Sequence, residues 1–264
     1  MTLAPSPELS EWTMPILTTG ICSVTLRDRA IEDVAAAASA ADLAGIEWGT
    51  DVHIRDAASA DQARELTAAA DLQVLSLGSY YRVGSLGDFD ALVSLAARLG
   101  ARRIRVWAGE AGSAESDDVI RASVVEDAQR IAGLAASHGL DIAFEYHGGT
   151  LTDSVESTLK LMEEVDRPNV GTYWQPAVGL SDQEAIASIH RVIRYVRGVH
   201  CFSWWPQRER LPLAGRRQLR QSIADILREH GRPTDILLEF VADDLPENVL
   251  RDAAFLNFIS LGED

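Results

Sequence analysis

The segment Ile142-Ala143-Phe144-Glu145-Tyr146-His147-Gly148-Gly149 begins as an apolar strand and ends with a carboxylate, an imidazole and two glycines. This pattern predicts a buried strand that presents reactive groups at its end. Glu145 and His147 are two residues apart, so on a strand they face the same side. A similar segment, Ile236-Leu237-Leu238-Glu239-Phe240, ends near another glutamate, and Val199-His200-Cys201-Phe202 carries a histidine. Together these segments predict strand ends that converge on one metal site.

Strand and helix patterns alternate along the whole chain. Strands are predicted at 16–24, 45–49, 72–77, 103–107, 142–147, 170–175, 196–202 and 235–240. Helices are predicted at 29–43, 57–70, 89–99, 117–137, 154–165, 182–192, 213–229 and 246–259. Such alternation is typical of a parallel α/β sheet. Eight units without a second-domain signal favour a single domain over residues 1–264 that folds as a (β/α)8 TIM barrel. Residues 1–13 of this range are predicted to form a flexible N-terminal arm.

An open, doubly wound sheet is the alternative architecture. Dinucleotide binding has no support in the sequence, because no Gly-x-Gly-x-x-Gly motif follows the first predicted strand.

Composition narrows the class of partner. The formal net charge is −16, which disfavours nucleic acid, since a duplex-binding surface must be basic to replace counterions. No apolar run reaches the roughly 18 residues of a membrane span, and the N-terminus lacks a signal-peptide pattern. The two cysteines, Cys22 and Cys201, are interpreted as reduced packing residues, as in a cytoplasmic protein. A homo-oligomer is left open.

Polar and aromatic side chains recur at the predicted carboxyl ends of the strands, where the active sites of such barrels lie. We predict that Trp107, Arg105, Trp204, Glu47 and His53 contact the substrate. Two alternatives stay open at this stage. Glu47 and His53 are equally consistent with loop residues, and a glutamate that ends an apolar strand can instead be a buried ion-pair partner of Arg105.

The chain resembles the xylose isomerase-like TIM-barrel family of sugar isomerases and epimerases, which also contains abasic-site endonucleases. The resemblance is carried by Gly45-Ile46-Glu47-Trp48-Gly49, Phe144-Glu145-Tyr146-His147, Asn169-Val170-Gly171, Val199-His200 and Leu238-Glu239. It implies one divalent metal ion held by Glu145, Gln175, His200 and Glu239. Mixed oxygen and nitrogen ligands favour Mn²⁺, with Mg²⁺, Co²⁺ and Zn²⁺ as alternatives.

The sixth strand departs from the family pattern. The family's Asp-x-x-His is Gln175-Pro176-Ala177-Val178 here, so the acid is an amide and the imidazole is absent. An amide oxygen still ligates a hard cation, although without charge. The ligand set would then carry about two negative charges, which match a divalent ion.

The resemblance implies a sugar isomerase or epimerase that acts on a carbohydrate through a metal-stabilised enediolate. Glu145, Glu239 and His147 are the predicted catalytic residues. One alternative is a lyase that cleaves a 3-keto-glycoside at the same metal site. Another is a non-catalytic sugar-binding protein on the same fold. An abasic-site endonuclease is disfavoured by the acidic charge and by the small number of histidines, six in all.

Overall fold

The computed structural model describes residues 16–262, in which eight parallel strands close into a barrel and eight α-helices surround it. The barrel strands are β1 (Leu17–Cys22), β2 (Gly45–Gly49), β3 (Gln73–Arg82), β4 (Arg103–Trp107), β5 (Asp141–Glu145), β6 (Val170–Trp174), β7 (Val196–Cys201) and β10 (Thr234–Leu238). Two short strands, β8 (Ser203–Trp204) and β9 (Arg210–Leu211), form an antiparallel hairpin after β7.

The helices alternate with the barrel strands. They are α1 (Ile31–Ala40), α2 (Ala57–Ala69), α3 (Asp90–Leu99), α4 (Asp118–Ala136), α5 (Val155–Val165), α6 (Asp182–Val192), α7 (Arg217–His230) and α8 (Pro246–Leu261). Closure of the barrel is direct, because β1 pairs in parallel with both β2 and β10. The predicted α/β class and (β/α)8 topology are confirmed. The predicted arm at 1–13 lies outside the described residues, and the assignment of 1–264 to one domain stays a prediction.

Local sequence signals explain where several helices begin and end. The side chain of Asp56 accepts a hydrogen bond from the backbone N–H of Ser59 and so caps α2. Ser181 and Glu184 form a capping box at the start of α6. Gly100 ends α3 with a left-handed backbone, φ 79°, which a residue with a Cβ rarely adopts.

Alternation along the strands separates an apolar outer layer from a polar interior. On β4, Ile104 and Val106 are fully buried in the core between strands and helices. Arg103 and Arg105 alternate with them and face the inside of the barrel. Arg103 Nη1 donates to Tyr173 Oη at 3.0 Å and to Asp235 Oδ2 at 3.0 Å. The barrel interior therefore combines these hydrogen-bonded polar side chains with a small apolar cluster that includes Leu75, Ala143 and Leu237.

The largest difference from the sequence-based expectation is β3, which continues to Arg82 instead of ending at Leu77. Its pairing with β4 shifts register between Gly78 and Arg82, so the strand extends past an irregularity. The extension carries Tyr80 and Tyr81 beyond the carboxyl end of the barrel. Among the described residues, no helix is both long and apolar enough to cross a membrane.

Candidate active site and metal centre

The four predicted metal ligands meet at the carboxyl ends of the barrel strands. Glu145 ends β5, Gln175 follows β6, His200 lies on β7 and Glu239 follows β10. All four side chains are buried. Glu145, His200 and Glu239 each offer a ligand atom within 4.8 Å of the other two. The structure thus brings these residues together from four separate strands.

His200 Nδ1 is the centre of this group. It lies 3.0 Å from Gln175 Oε1 and 3.4 Å from Glu239 Oε2. Neighbouring donors on an ion with bonds of about 2.1 Å lie about 3 Å apart at right angles, so these separations suit a shared ion. The donor chemistry, carboxylate and amide oxygen with imidazole nitrogen, also suits a divalent ion such as Mn²⁺ or Mg²⁺. The residues present fit the implied metal.

Arg105 forms a buried double ion pair at the same site. Its Nε donates to Glu47 Oε1 at 2.9 Å, and its Nη1 donates to Glu145 Oε2. Gly78 makes room for this arrangement, because a Cβ there would lie 2.8 Å from Arg105 Nη2 and 2.8 Å from Glu47 Oε1. The ion-pair alternative for Glu145 is therefore present in the structure, and it coexists with the position of Glu145 in the ligand group.

The site carries a net negative charge. Burial alone would raise the pKa of Glu47, but the Arg105 guanidinium holds that pKa well below its ordinary range. Burial raises the pKa of Glu239 to about 7. Burial would lower the pKa of the His200 ring, yet the carboxylates of Glu239 and Glu47 outweigh that effect and raise it to about 9. With His200 neutral, as a metal ligand must be, and with all three glutamates ionised, the single arginine leaves a charge of −2 for a divalent ion to balance.

A cavity of about 790 Å³ opens above this group. Its polar floor includes Glu145, Gln175 and Glu239, and Arg105 also reaches it. Its walls are mainly aromatic, contributed by Tyr80, Trp107, Tyr146, Phe202, Trp204 and Phe240. Aromatic faces beside a few polar groups suit the apolar face of a polyhydroxylated ring. The predicted positions of Trp107, Trp204 and Arg105 at a ligand cavity agree with this arrangement.

His147 lines the same cavity and is held by an aromatic stack. Its ring lies on Trp107 with centroids 4.2 Å apart, and the Arg82 guanidinium lies 3.8 Å from the Trp107 ring centroid. His147 Nδ1 lies 2.7 Å from the Gly148 carbonyl oxygen. A carbonyl only accepts, so Nδ1 carries the proton and Nε2 of the neutral ring has a free lone pair. His147 is thus equipped to exchange a proton.

Two predicted substrate contacts are not at the cavity. Glu47 lies beneath Arg105 and is not among the cavity-lining residues. His53 is anchored by Ser23 Oγ and the Arg29 carbonyl oxygen, each 3.0 Å from a ring nitrogen. The edge of its ring also packs against Trp48. The geometry gives no support to substrate contact at either residue.

Several cavity residues were missed by sequence reasoning. Tyr80 lies beyond the predicted end of the third strand, and Phe202 and Phe240 follow His200 and Glu239 closely in sequence. Arg210 lies with its guanidinium carbon 5.6 Å from the Trp204 ring centroid and 5.2 Å from that of Phe240. The close sequence spacing of Phe202 to His200 and of Phe240 to Glu239 was the available signal for these two aromatic residues.

A second group of candidate ligands consists of Cys22, Glu47 and His200. Burial raises the pKa of the Cys22 thiol well above its ordinary value, and neighbouring Glu47 raises it further. A cysteine ligand must be a thiolate, so an ion bound there would have to displace a thiol proton that is held more firmly than usual. Glu47 is also already engaged by Arg105 and Ser76. The group around His200 Nδ1 is the better metal site.

The fold and site define a (β/α)8 barrel with a candidate metal-binding group at the carboxyl ends of its strands. A family model described as xylose isomerase-like TIM barrel matches residues 35–257. The chain belongs to this family, as the sequence motifs predicted.

Individual relatives include enzymes of two reaction types. A 3-dehydroshikimate dehydratase from Bacillus anthracis is 29% identical over 165 residues, which span 57% of this chain and 58% of that protein. A structure described as the probable 3-DHS dehydratase of petrobactin synthesis, from the same organism, has a TM-score of 0.76 at 19% identity and covers 91% of this chain and 98% of its own. A 3-keto-D-glucoside 4-epimerase from E. coli has a TM-score of 0.70 at 13% identity, over 93% and 99% of the two chains. At these identities the structural matches show a shared fold.

Proposed function

We propose that this protein is a divalent-metal-dependent lyase that acts on a polyhydroxylated ketone. In this proposal it removes a proton from the carbon beside the carbonyl and expels an oxygen substituent from the next carbon. Glu145, Gln175, His200 and Glu239 would hold the ion. When bound, a divalent ion supplies a Lewis acid that polarises the substrate carbonyl.

The observation that supports a lyase best is the unequal environment of the two strand-end glutamates. Glu145 is held at both oxygens, by Arg105 Nη1 at Oε2 and by Gln175 Nε2 at Oε1, 3.4 Å away. Among residues 16–262, Glu239 has only His200 near one oxygen and has no arginine within ion-pair distance. Epimerisation by two bases needs a mobile proton acceptor on each face of the carbon. One free carboxylate suits a single abstraction followed by elimination.

The protein's own residues supply both proton transfers. The Glu239 carboxylate takes the carbon-bound proton, and the electron pair of the broken C–H bond forms the C=C bond. The C–O bond on the next carbon breaks, and protonated His147 delivers its Nε2 proton to the departing oxygen. Water or an alcohol leaves, and solvent exchange returns a proton from Glu239 to His147. The aromatic walls position the substrate ring beside these residues.

The isomerase or epimerase predicted from the sequence is the second candidate. It is favoured by the presence of two carboxylates, Glu145 and Glu239, in one ligand group. The curated dehydratase relative favours elimination, since removal of water is a lyase reaction. A small-molecule carbohydrate or a related cyclic polyol ketone is the proposed substrate in both cases.

Proton NMR in D₂O with Mn²⁺-loaded protein distinguishes these candidates, with Mn²⁺ removed by chelation before spectra are recorded. The panel contains 3-dehydroshikimate, 3-keto-glucosides and free ketohexoses. A lyase gives an unsaturated product, an epimerase gives an epimer labelled with deuterium, and a binding protein gives neither. An epimer without any unsaturated product would overturn the lyase proposal.

Two variants test the separate proton transfers. Glu239→Gln should abolish both elimination and deuterium exchange, whereas His147→Gln should retain exchange and slow elimination about 10²–10⁴-fold. His138→Gln, on an exposed histidine at the end of α4, is the control. Metal content is measured for each variant. Loss of exchange in His147→Gln, with normal metal content, would reverse the assigned roles.

A further inference from the structure

We propose that Glu47 is a positioning residue for the metal ligand His200. It would accept a hydrogen bond from His200 Nε2–H and thereby direct the Nδ1 lone pair at the ion. This inference rests on the metal site of the proposed function. Glu47 lies on β2. In the barrel, β1 separates β2 from β10, the strand that precedes Glu239. The position of Glu47 in the sequence therefore does not indicate this role.

The hydrogen bonds around Gln175 define the present state of the His200 ring. A carboxylate only accepts, so the Gln175 side chain must turn its NH₂ group towards Glu145 Oε1 and its oxygen towards His200. His200 Nδ1 therefore faces two oxygen acceptors, Gln175 Oε1 and Glu239 Oε2. His200 Nδ1 carries a proton in this arrangement, because an unprotonated nitrogen could not donate a hydrogen bond to either acceptor.

Metal binding requires His200 Nδ1 to lose this proton. A ligating nitrogen has no proton, so the proton of the neutral imidazole must lie on Nε2. That atom is fully buried and has no hydrogen-bond partner among the described residues. The acceptor facing it is Glu47 Oε1, at 3.6 Å. A shift of less than about 1 Å would bring the two atoms to a charge-assisted hydrogen-bond distance.

Glu47 is itself held firmly in place. Ser76 Oγ donates to its Oε2 at 2.6 Å, while Arg105 Nε donates to its Oε1 at 2.9 Å. Ser76 Oγ in turn accepts from Tyr173 Oη at 3.0 Å. These anchors keep the carboxylate ionised and aimed at the His200 ring. A carboxylate that faces the second nitrogen of a metal-bound histidine is a recurrent means of fixing its tautomer.

Calorimetric titration with Mn²⁺ gives the first test. Glu47→Gln keeps the size of the side chain and removes its charge, and we expect Mn²⁺ affinity to fall about 10–100-fold. The matched control is Asp127→Asn, which removes another fully buried carboxylate, one that accepts from the Gly84 N–H on the outside of the barrel. Its Mn²⁺ affinity should equal that of the wild type. Wild-type affinity in a folded Glu47→Gln protein would overturn the inference.

NMR of ¹⁵N-histidine-labelled, Zn²⁺-loaded protein separates a hydrogen bond from a mere charge effect. We expect His200 to bind Zn²⁺ through Nδ1 and to show a strongly deshielded Nε2–H proton. That proton resonance should move upfield in Glu47→Gln and stay unchanged in Asp127→Asn. Zn²⁺ bound through Nε2, or an unmoved resonance, would overturn the inference. Wild-type protein that binds neither ion would refute the metal-dependent function as well, so the two failures are distinguishable.

Discussion

Replacement of Arg105 by methionine should destabilise the protein strongly in the absence of metal. Arg105 is 5% exposed, and its two partners, Glu47 and Glu145, are 2% and 6% exposed. Methionine fills much of the volume but leaves two buried carboxylates without their cation. Loss of one partner of a buried ion pair costs about 3–5 kcal/mol. For a chain of this size that corresponds to a fall in Tm of about 6–20 °C.

The matched control is Arg98→Met, which breaks an exposed ion pair with Asp61. Those two side chains are 50% and 32% exposed, and such pairs are worth about 0–1 kcal/mol. Differential scanning fluorimetry and urea unfolding, with EDTA or with Mn²⁺, measure the differences. Because Mn²⁺ supplies positive charge next to Glu145, it should raise the Tm of Arg105→Met more than that of the wild type. Arg105→Lys keeps the positive charge but lacks the planar guanidinium, so its loss of Tm should lie between those of the two methionine variants. This variant provides a folded protein for comparison if Arg105→Met does not fold.

A loss of stability in Arg105→Met no larger than that in Arg98→Met would contradict this prediction. An equal rise in Tm with Mn²⁺ in the Arg105 variant and in the wild type would contradict it as well. The first result would mean that the buried carboxylates become protonated at little cost. The second would separate the Arg105 cluster from the metal site.

Three further predictions concern the ion and the cavity. Gln175→Asp should tighten Mn²⁺ binding measured by calorimetry and lower the metal-free Tm, because it adds a buried charge beside His200; unchanged affinity would remove position 175 from the ligand set. Mn²⁺ affinity should rise with pH from below 7 to about 9, because the ion displaces protons from Glu239, with a pKa of about 7, and from His200, with a pKa of about 9. Calorimetry in buffers of different ionisation enthalpy measures the proton release, and an affinity that does not change with pH would contradict this prediction. Trp107→Ala should lower kcat by removing the ring that supports His147, while Mn²⁺ affinity stays at the wild-type value; equal loss of both would indicate a general collapse of the site.

The barrel and the meeting of the four predicted ligand residues at one face were predictable because each depends on a local pattern, whereas their roles as metal ligands are implied by the family resemblance and stay a prediction. Apolar strands that alternate with amphipathic helices specify the fold, and the fold brings every strand's carboxyl end to one face. A polar residue at such an end, as in Glu145, Gln175, His200 or Glu239, then needs only its position along the strand to be assigned to the site.

The parts that escaped prediction depend on contacts across several strands. Arg105 on β4 reaches Glu145 on β5, a pairing that the sequence left open as an alternative, and it also reaches Glu47 on β2, which nothing in the local sequence indicates. The extension of β3 was missed because the segment after Gly78 is polar and aromatic without clear alternation. His53 follows a strand end, yet a turn directs its ring away from the cavity towards Ser23.

The charge of the buried group gives a physical reason for an amide at position 175. Glu47, Glu145 and Glu239 face a single guanidinium, so the ionised group carries −2 before any ion binds. An aspartate at position 175 would bring that charge to −3, which exceeds what a divalent ion can neutralise in a buried environment. Glu47 on the second strand, behind the His200 ring, is one of the three carboxylates in this charge balance. Gln175 and Glu47 should consequently be coupled: Gln175→Asp combined with Glu47→Gln restores −2, and the double variant should be more stable than the sum of the two single changes implies.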